Sequence, residues 1–263
     1  MREFLINMLT DTHCHLDAAE FGDNQKALVL SAQSVGVRRI VVPSVGRANF
    51  AAVSRLCSEL SGCFPAYGIH PMYTDAAMPE DLDVLHDYLK DRQPVAVGEI
   101  GLDFFIEKYD QEKQEYYFIE QLKLAREFDL PVLLHIRRAQ DTVLKYLRRI
   151  KVRGGIAHAF NGSVHQAEEF IKLGFKLGFG GAATYTRATR LHSLFRNLPL
   201  SSIVLETDAP DMPPAFLERD QPNKPEYLPS IAEILAGLRC ISPEALAQST
   251  SENALAILNR VPA

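Results

Sequence analysis

A chain of 263 residues that is 47% hydrophobic and 23% charged can bury one sizeable core, and a single barrel of roughly 250 residues fits it. A net charge of −5 argues against a broad electrostatic grip on duplex DNA, which needs a basic face. It leaves open a nuclease that holds a strand end, because bound metal ions supply positive charge that residue counting misses. The cysteines Cys14, Cys57, Cys63 and Cys240 follow neither zinc-ribbon nor redox spacing, which points to free thiols in a reducing compartment. The opening residues lack the apolar stretch of a signal peptide, and no run approaches the ~20 apolar residues of a membrane span. These features predict a cytoplasmic protein that needs neither a membrane nor an obligate protein partner. Met8, directly before the first motif, is a candidate for the true start.

In chain order, short apolar runs alternate with longer helical patterns. A strand is expected at 9–13, a helix at 25–35, a strand at 39–43, a helix at 50–60, a strand at 65–69 and a helix at 79–89. Strands then fall at 95–98, 132–135, 155–158, 175–178 and 203–206, separated by helices at 111–128, 139–149, 164–173 and 189–198. Helices at 228–238 and 243–259 close the chain. The strands are rich in Val and Ile, as strands buried on both faces of a parallel sheet are. Eight such units predict an α/β fold, a (β/α)8 TIM barrel forming one domain over 1–263. A doubly wound open sheet is the competitor, weakened by the absence of GxGxxG after the first strand.

The polar residues fall at one end of these strands. His13 and His15 end the first, His70 follows the third, Glu99 the fourth, His135 ends the fifth, His158 the sixth, and Glu206 and Asp208 follow the last. That end is where barrel enzymes keep their active sites. In His13-Cys14-His15 the two imidazoles share a face, so both can serve one metal ion while Cys14 points to the helices. Asp11, on the same face, can orient an imidazole. His135 and His158 each end an apolar strand, where an unpaired imidazole is costly and a metal ligand is not. Glu99 can bridge two cations with its two oxygens, whereas Asp103 reads as a loop residue. Four His and two carboxylates form a mixed N/O set suited to Zn, Mn, Fe or Ni, or to Mg if carboxylates dominate. It is too large for one ion, so two divalent ions are expected.

These residues carry a family resemblance over nearly the whole chain. Asp11-Thr12-His13-Cys14-His15-Leu16-Asp17, Gly68-Ile69-His70-Pro71, Gly98-Glu99-Ile100-Gly101-Leu102-Asp103, the strand ending in His135, His158-Ala159-Phe160-Asn161-Gly162-Ser163 and Glu206-Thr207-Asp208-Ala209-Pro210 resemble, in order, the motifs of the TatD family of metal-dependent deoxyribonucleases in the amidohydrolase superfamily. The resemblance implies a TIM barrel with a binuclear metal centre. His13 and His15 would bind one ion with Asp208, and His135 and His158 the other. Glu99 would bridge them, and His70 and Glu206 would be additional active-site groups. Gln221-Pro222-Asn223-Lys224-Pro225-Glu226 replaces the basic Arg-Gly-Lys-Arg-Asn segment of many members, as in the branch of YjjV-type hydrolases.

The expected activity is phosphoester hydrolysis, on DNA ends or single strands, by a water that divalent ions activate at neutral pH, with Asp208 as general base. Arg137 and Lys224 are candidates for phosphate contact. Phe104, Phe105, Phe160 and Tyr185 are candidates for base stacking. The cations from Arg148 to Arg153 read instead as a helix end. Two alternatives stand: an amidohydrolase cleaving a small-molecule C–N or lactone bond, and a non-catalytic metal- or phosphate-binding barrel.

Overall fold

The computed structural model describes residues 9–218 and 220–262; Met8 lies outside them. Eight strands, β1 (Leu9–Asp11), β2 (Val37–Pro43), β3 (Cys63–Tyr67), β4 (Ala96–Asp103), β5 (Val132–Arg137), β6 (Gly155–Ala157), β7 (Phe175–Phe179) and β8 (Ile203–Leu205), run parallel in sequence order. The helices are α1 (Gln25–Ser34), α2 (Arg47–Glu59), α3 (Glu80–Asp91), α4 (Gln111–Glu127), α5 (Gln140–Arg149), α6 (Val164–Lys172), α7 (Thr189–Asn197), α8 (Leu228–Arg239) and α9 (Pro243–Ile257). The sheet curls until its first and last strands meet. The Thr12 amide and hydroxyl both donate to the Leu205 carbonyl, at 3.1 and 3.0 Å. Cys14 forms a parallel bridge with Ala209. Beside this seam the Asp11 carboxylate accepts the Thr207 amide at 2.9 Å and the Thr207 hydroxyl at 2.6 Å. The result is a (β/α)8 barrel rather than an open sheet.

Local chemistry sets the helix ends. Ser163 and Gln166 cap α6 reciprocally, Asp110 caps α4, and Ser242 followed by Pro243 starts α9. Helix α2 begins three residues earlier than its apolar pattern indicates. The side chain of Asn49 accepts the amides of Val45 and Gly46 at 3.1 and 3.2 Å and so holds the first turn. Among the described residues no helix is long and apolar enough to cross a membrane.

The largest departure is β4. The sequence places its end at Gly98, but it runs on to Asp103, buried throughout. The glycines that read as strand breakers are there because β5 lies against them. A Cβ on Gly98 would stand 2.6 Å from the Cβ of Leu133, and one on Gly101, at φ 152°, would collide with the His135 carbonyl. The pairing register shifts between Val97 and Ile100, which places Glu99 inside the barrel.

Side-chain alternation divides the barrel wall. Residues facing outward join the main core under the helices. Those facing inward at the lower end, among them Val41, Ala66, Leu133, Ile156 and Val204, pack with Ile257, Leu258 and Val261 at the end of α9. Two residues further up the same rows stand the polar groups: His135 above Leu133, His158 above Ile156, Glu206 above Val204. The row that plugs the barrel below therefore carries the site above.

Candidate metal centre

Glu99 is the hub. It is 1% exposed, and its two oxygens face different imidazoles. Oε2 lies 3.0 Å from His13 Nε2 and 3.3 Å from His15 Nε2. Oε1 lies 3.0 Å from His135 Nδ1, 3.2 Å from His158 Nε2 and 3.5 Å from His70 Nε2. Asp208 Oδ1 completes the first side, 3.7 Å from His13 and 3.8 Å from His15. The rings of His13 and His158 stack at 4.0 Å between the two sides. Three sets have ligand atoms within 4.8 Å of one another: His13, His15 and Asp208; His13, Glu99 and His158; and His70, Glu99 and His135.

The donor set fits divalent cations. Five imidazole nitrogens and two carboxylates converge in a space with no Arg or Lys partner among the printed ion pairs of Glu99 and Asp208. Four buried polar side-chain atoms have no hydrogen-bond partner among the described residues, and three of them, His13 Nδ1, His158 Nδ1 and Glu206 Oε2, belong to this cluster. Buried polar atoms are rarely left so without an ion or water to satisfy them.

Two tautomers can be read from the partners. His135 Nε2 lies 2.9 Å from Asp103 Oδ2. A carboxylate only accepts, so Nε2 carries the proton and the Nδ1 lone pair of the neutral ring points at the centre. His70 is the reverse: its Nδ1 accepts the Met72 amide at 3.2 Å, so in the neutral ring Nε2–H points inward as a donor. His135 is thus set up to ligate and His70 to hydrogen-bond an oxygen, although both sit near Glu99.

The electrostatics follow from burial among mixed charges. Burial, aided by the His158 charge, lowers the pKa of His13 to about 3. Burial also opposes charge on His15, but the Glu99 hydrogen bond and nearby carboxylates outweigh it and carry the ring up to about 9. Burial raises Asp208 to about 6, a carboxyl poised to exchange protons near neutrality. For Glu99, burial opposes ionisation, yet the surrounding imidazoles hold its pKa well below the usual carboxylate range.

Asp103 is not a loop residue. It ends β4 fully buried, with Oδ2 on His135 and Oδ1 accepting the Phe105 amide at 2.9 Å. Asp11 binds no imidazole. It accepts the amide of His13 at 3.3 Å as well as both Thr207 groups, so it orients the ligand strand through backbone. Burial pushes its pKa up to about 7. Glu206 is buried with Oε1 on the Ala159 amide at 2.5 Å and within 3.5 Å of His158 Nδ1. Gly178 makes room for its carboxylate, which a Cβ there would strike. Lys224 turns to Glu226 at 3.7 Å and Tyr227 at 6.0 Å rather than to the cluster. Arg137, at the rim, lies flat on Phe105.

Sequence reading missed two glutamines. Gln114 and Gln121 are buried on one face of α4. Gln114 clamps Asp103, accepting its amide at 2.9 Å and donating to its carbonyl at 3.1 Å. Gln121 does the same to Ile69, at 2.6 and 3.0 Å, next to His70. Their spacing of seven, two turns of one helix face, was the available signal.

A mixed imidazole–carboxylate cluster at the mouth of a (β/α)8 barrel defines a metal-dependent hydrolase. The profile described as TatD related DNase matches residues 10–259, and the chain belongs to this family of metal-dependent hydrolases. The Escherichia coli metal-dependent hydrolase YjjV is 40% identical over 258 residues, 97% of this chain and 99% of its own. The crystal structure of E. coli YjjV, described as a TatD homologue, superposes with a TM-score of 0.92 at 39% identity, covering 97% of this chain and 98% of that one. The 3′-5′ ssDNA/RNA exonuclease TatD of Klebsiella pneumoniae is 30% identical over 249 residues, 92% of this chain and 95% of its own.

Proposed function

We propose that the protein is a phosphodiesterase that hydrolyses nucleic acid, with DNA ends or single strands as substrate. The observation that carries this is Glu99, whose oxygens are divided between His13 and His15 on one side and His135 and His158 on the other. That division suits two divalent ions, His13, His15 and Asp208 holding one and His135 and His158 the other, with Glu99 shared. When bound, such ions supply Lewis acidity and an activated water at neutral pH.

The residues do the rest. Asp208, raised to about 6 by burial, accepts a proton from the attacking water. His70 presents Nε2–H to a phosphoryl oxygen as charge builds on it. Asp103 holds His135 in the ligating tautomer, and Glu206 braces His158 and the Ala159 amide. The whole chain, 1–263, acts as one hydrolase domain. The unpaired cysteines, Cys240 exposed among them, suit the cytoplasm. Support for the substrate comes from the Klebsiella relative, named for ssDNA/RNA exonuclease activity.

The test couples elemental analysis of the purified protein to turnover of 3′-tailed single-stranded DNA, with Zn, Mn, Mg, Fe and Ni supplied in turn. Bound metal with release of nucleotides is expected. Failure on every nucleic acid with every metal, alongside turnover of a cyclic amide or lactone, would overturn the nuclease reading and leave an amidohydrolase.

A further inference from the structure

Directly above His135 the rim carries an arrangement that the chemistry of the metal centre does not use. The guanidinium of Arg137 lies 3.8 Å from the ring centroid of Phe105, and that of Arg138 lies 4.2 Å from the same centroid. Phe105 is 43% exposed. Among the described residues neither guanidinium forms an ion pair with a carboxylate, whereas Arg47, Arg148 and Arg153 each do. Arg138 sits at φ 55°, a left-handed conformation uncommon for a side chain of its size, and this turn brings its guanidinium to the same ring. Two planar cations with free N–H forks therefore share one exposed aromatic.

The position is fixed by the site. Arg137 is two residues beyond His135 on β5 and so shares its face, about 7 Å higher at the ~3.3 Å rise of a strand. Phe105 is two residues beyond Asp103 and donates its amide to the carboxylate that holds His135. Platform and metal centre thus hang from one buried carboxylate. On the neighbouring rim Met72 and Tyr73 are also exposed, at 53% and 52%, and the Tyr73 ring stands 6.0 Å from His70. The mouth is cationic and aromatic on the β3–β5 side, while beyond β8 Lys224 is paired with Glu226.

We propose that Phe105, Arg137 and Arg138 form a nucleotide subsite, in which the next phosphate of a single strand is held by the two guanidinium forks and its base stacks at Phe105. This rests on the nuclease reading above and adds to it the direction in which the strand leaves the centre. Arg forks match phosphate oxygens bidentately, and aromatic stacking tolerates any base. It explains how a chain of net charge −5 grips a polyanion, with a local platform in place of a basic face.

Binding isolates the subsite from the chemistry. A short fluorescein-labelled oligodeoxythymidylate is titrated into metal-loaded Asp208→Asn protein and followed by anisotropy, beside the same protein carrying Arg137→Ala, Arg138→Ala or Phe105→Leu. Each added substitution should raise the oligonucleotide Kd by about tenfold, the scale of one stacked base or one charge-assisted phosphate contact. Each arginine change should flatten the slope of log Kd against log salt by about 0.7, as losing one single-strand phosphate contact does. A competing nucleoside 5′-monophosphate, too short to reach the platform, should bind all four proteins alike. Unchanged oligonucleotide affinity, an equal loss for the monophosphate, or no oligonucleotide binding by the parent would overturn the subsite. Failure of the unsubstituted enzyme to cleave DNA while the binding pattern holds would overturn the nuclease reading and leave the subsite standing.

Discussion

The two ends of the barrel are built from the same rows of side chains and do opposite things. Below, Leu133, Ile156 and Val204 meet Leu258 and Val261 in a dry apolar plug. One step up, His135, His158 and Glu206 gather with Glu99 and Asp208, and buried polar atoms there go without partners. The lower end draws stability from apolar area removed from water. The upper end gives some of it up, because imidazoles and carboxylates placed for ligation cannot also satisfy one another. Stability and reactivity are thus separated by about two residues along each strand.

Substitutions should break the molecule differently at the two ends. The largest effect is expected of Glu99→Gln, which removes the charge both sides of the centre share: turnover should fall to background and metal content should drop, as elemental analysis would show. Retained stoichiometry would dissolve the idea of a shared carboxylate. Leu258→Ala should cost about 2–5 kcal/mol of unfolding free energy by opening a cavity in the plug, with metal content unchanged, read by denaturant titration. Adding metal to about a hundred times its Kd should stabilise the protein by about 2.7 kcal/mol, and a chelator should reverse the rise in melting temperature. Asp103→Asn should weaken metal binding by about 10- to 100-fold, since the amide no longer enforces the His135 tautomer. A competition titration that finds no change would reduce Asp103 to packing. The mildest is pH. Each imidazole must shed its proton to bind a cation, so metal uptake should weaken as pH falls through about 6.5 and recover above it, whereas the plug should not respond.

How much of this was legible in the sequence divides along the same line. The apolar rows announced all eight strands, and the His and acidic residues at their ends marked the mouth. The length of β4 was hidden because Gly98 and Gly101 look like breakers until β5 is seen pressed against them. With β4 ended too early, Asp103 fell into a loop and its bond to His135 could not be inferred. Asp11 sat on the right face, but the seam with Thr207, which only barrel closure creates, claimed it first. The glutamines of α4 were masked by a polar helix surface. Such partnerships are tertiary, and side-chain periodicity is silent about them.

The seam has a consequence for synthesis. Asp11 and Thr207 are 196 residues apart, and their bond joins the strand that carries His13 and His15 to the turn that carries Asp208. A nascent chain can fold its intermediate βα units early, yet it cannot assemble a complete ion-binding pocket until its eighth strand leaves the ribosome and docks on its first. Contacts so distant in sequence form slowly. Metal capture should therefore be among the last events of biogenesis, sealing a barrel already built, and partially made chains should hold no competent centre with which to cut nucleic acid.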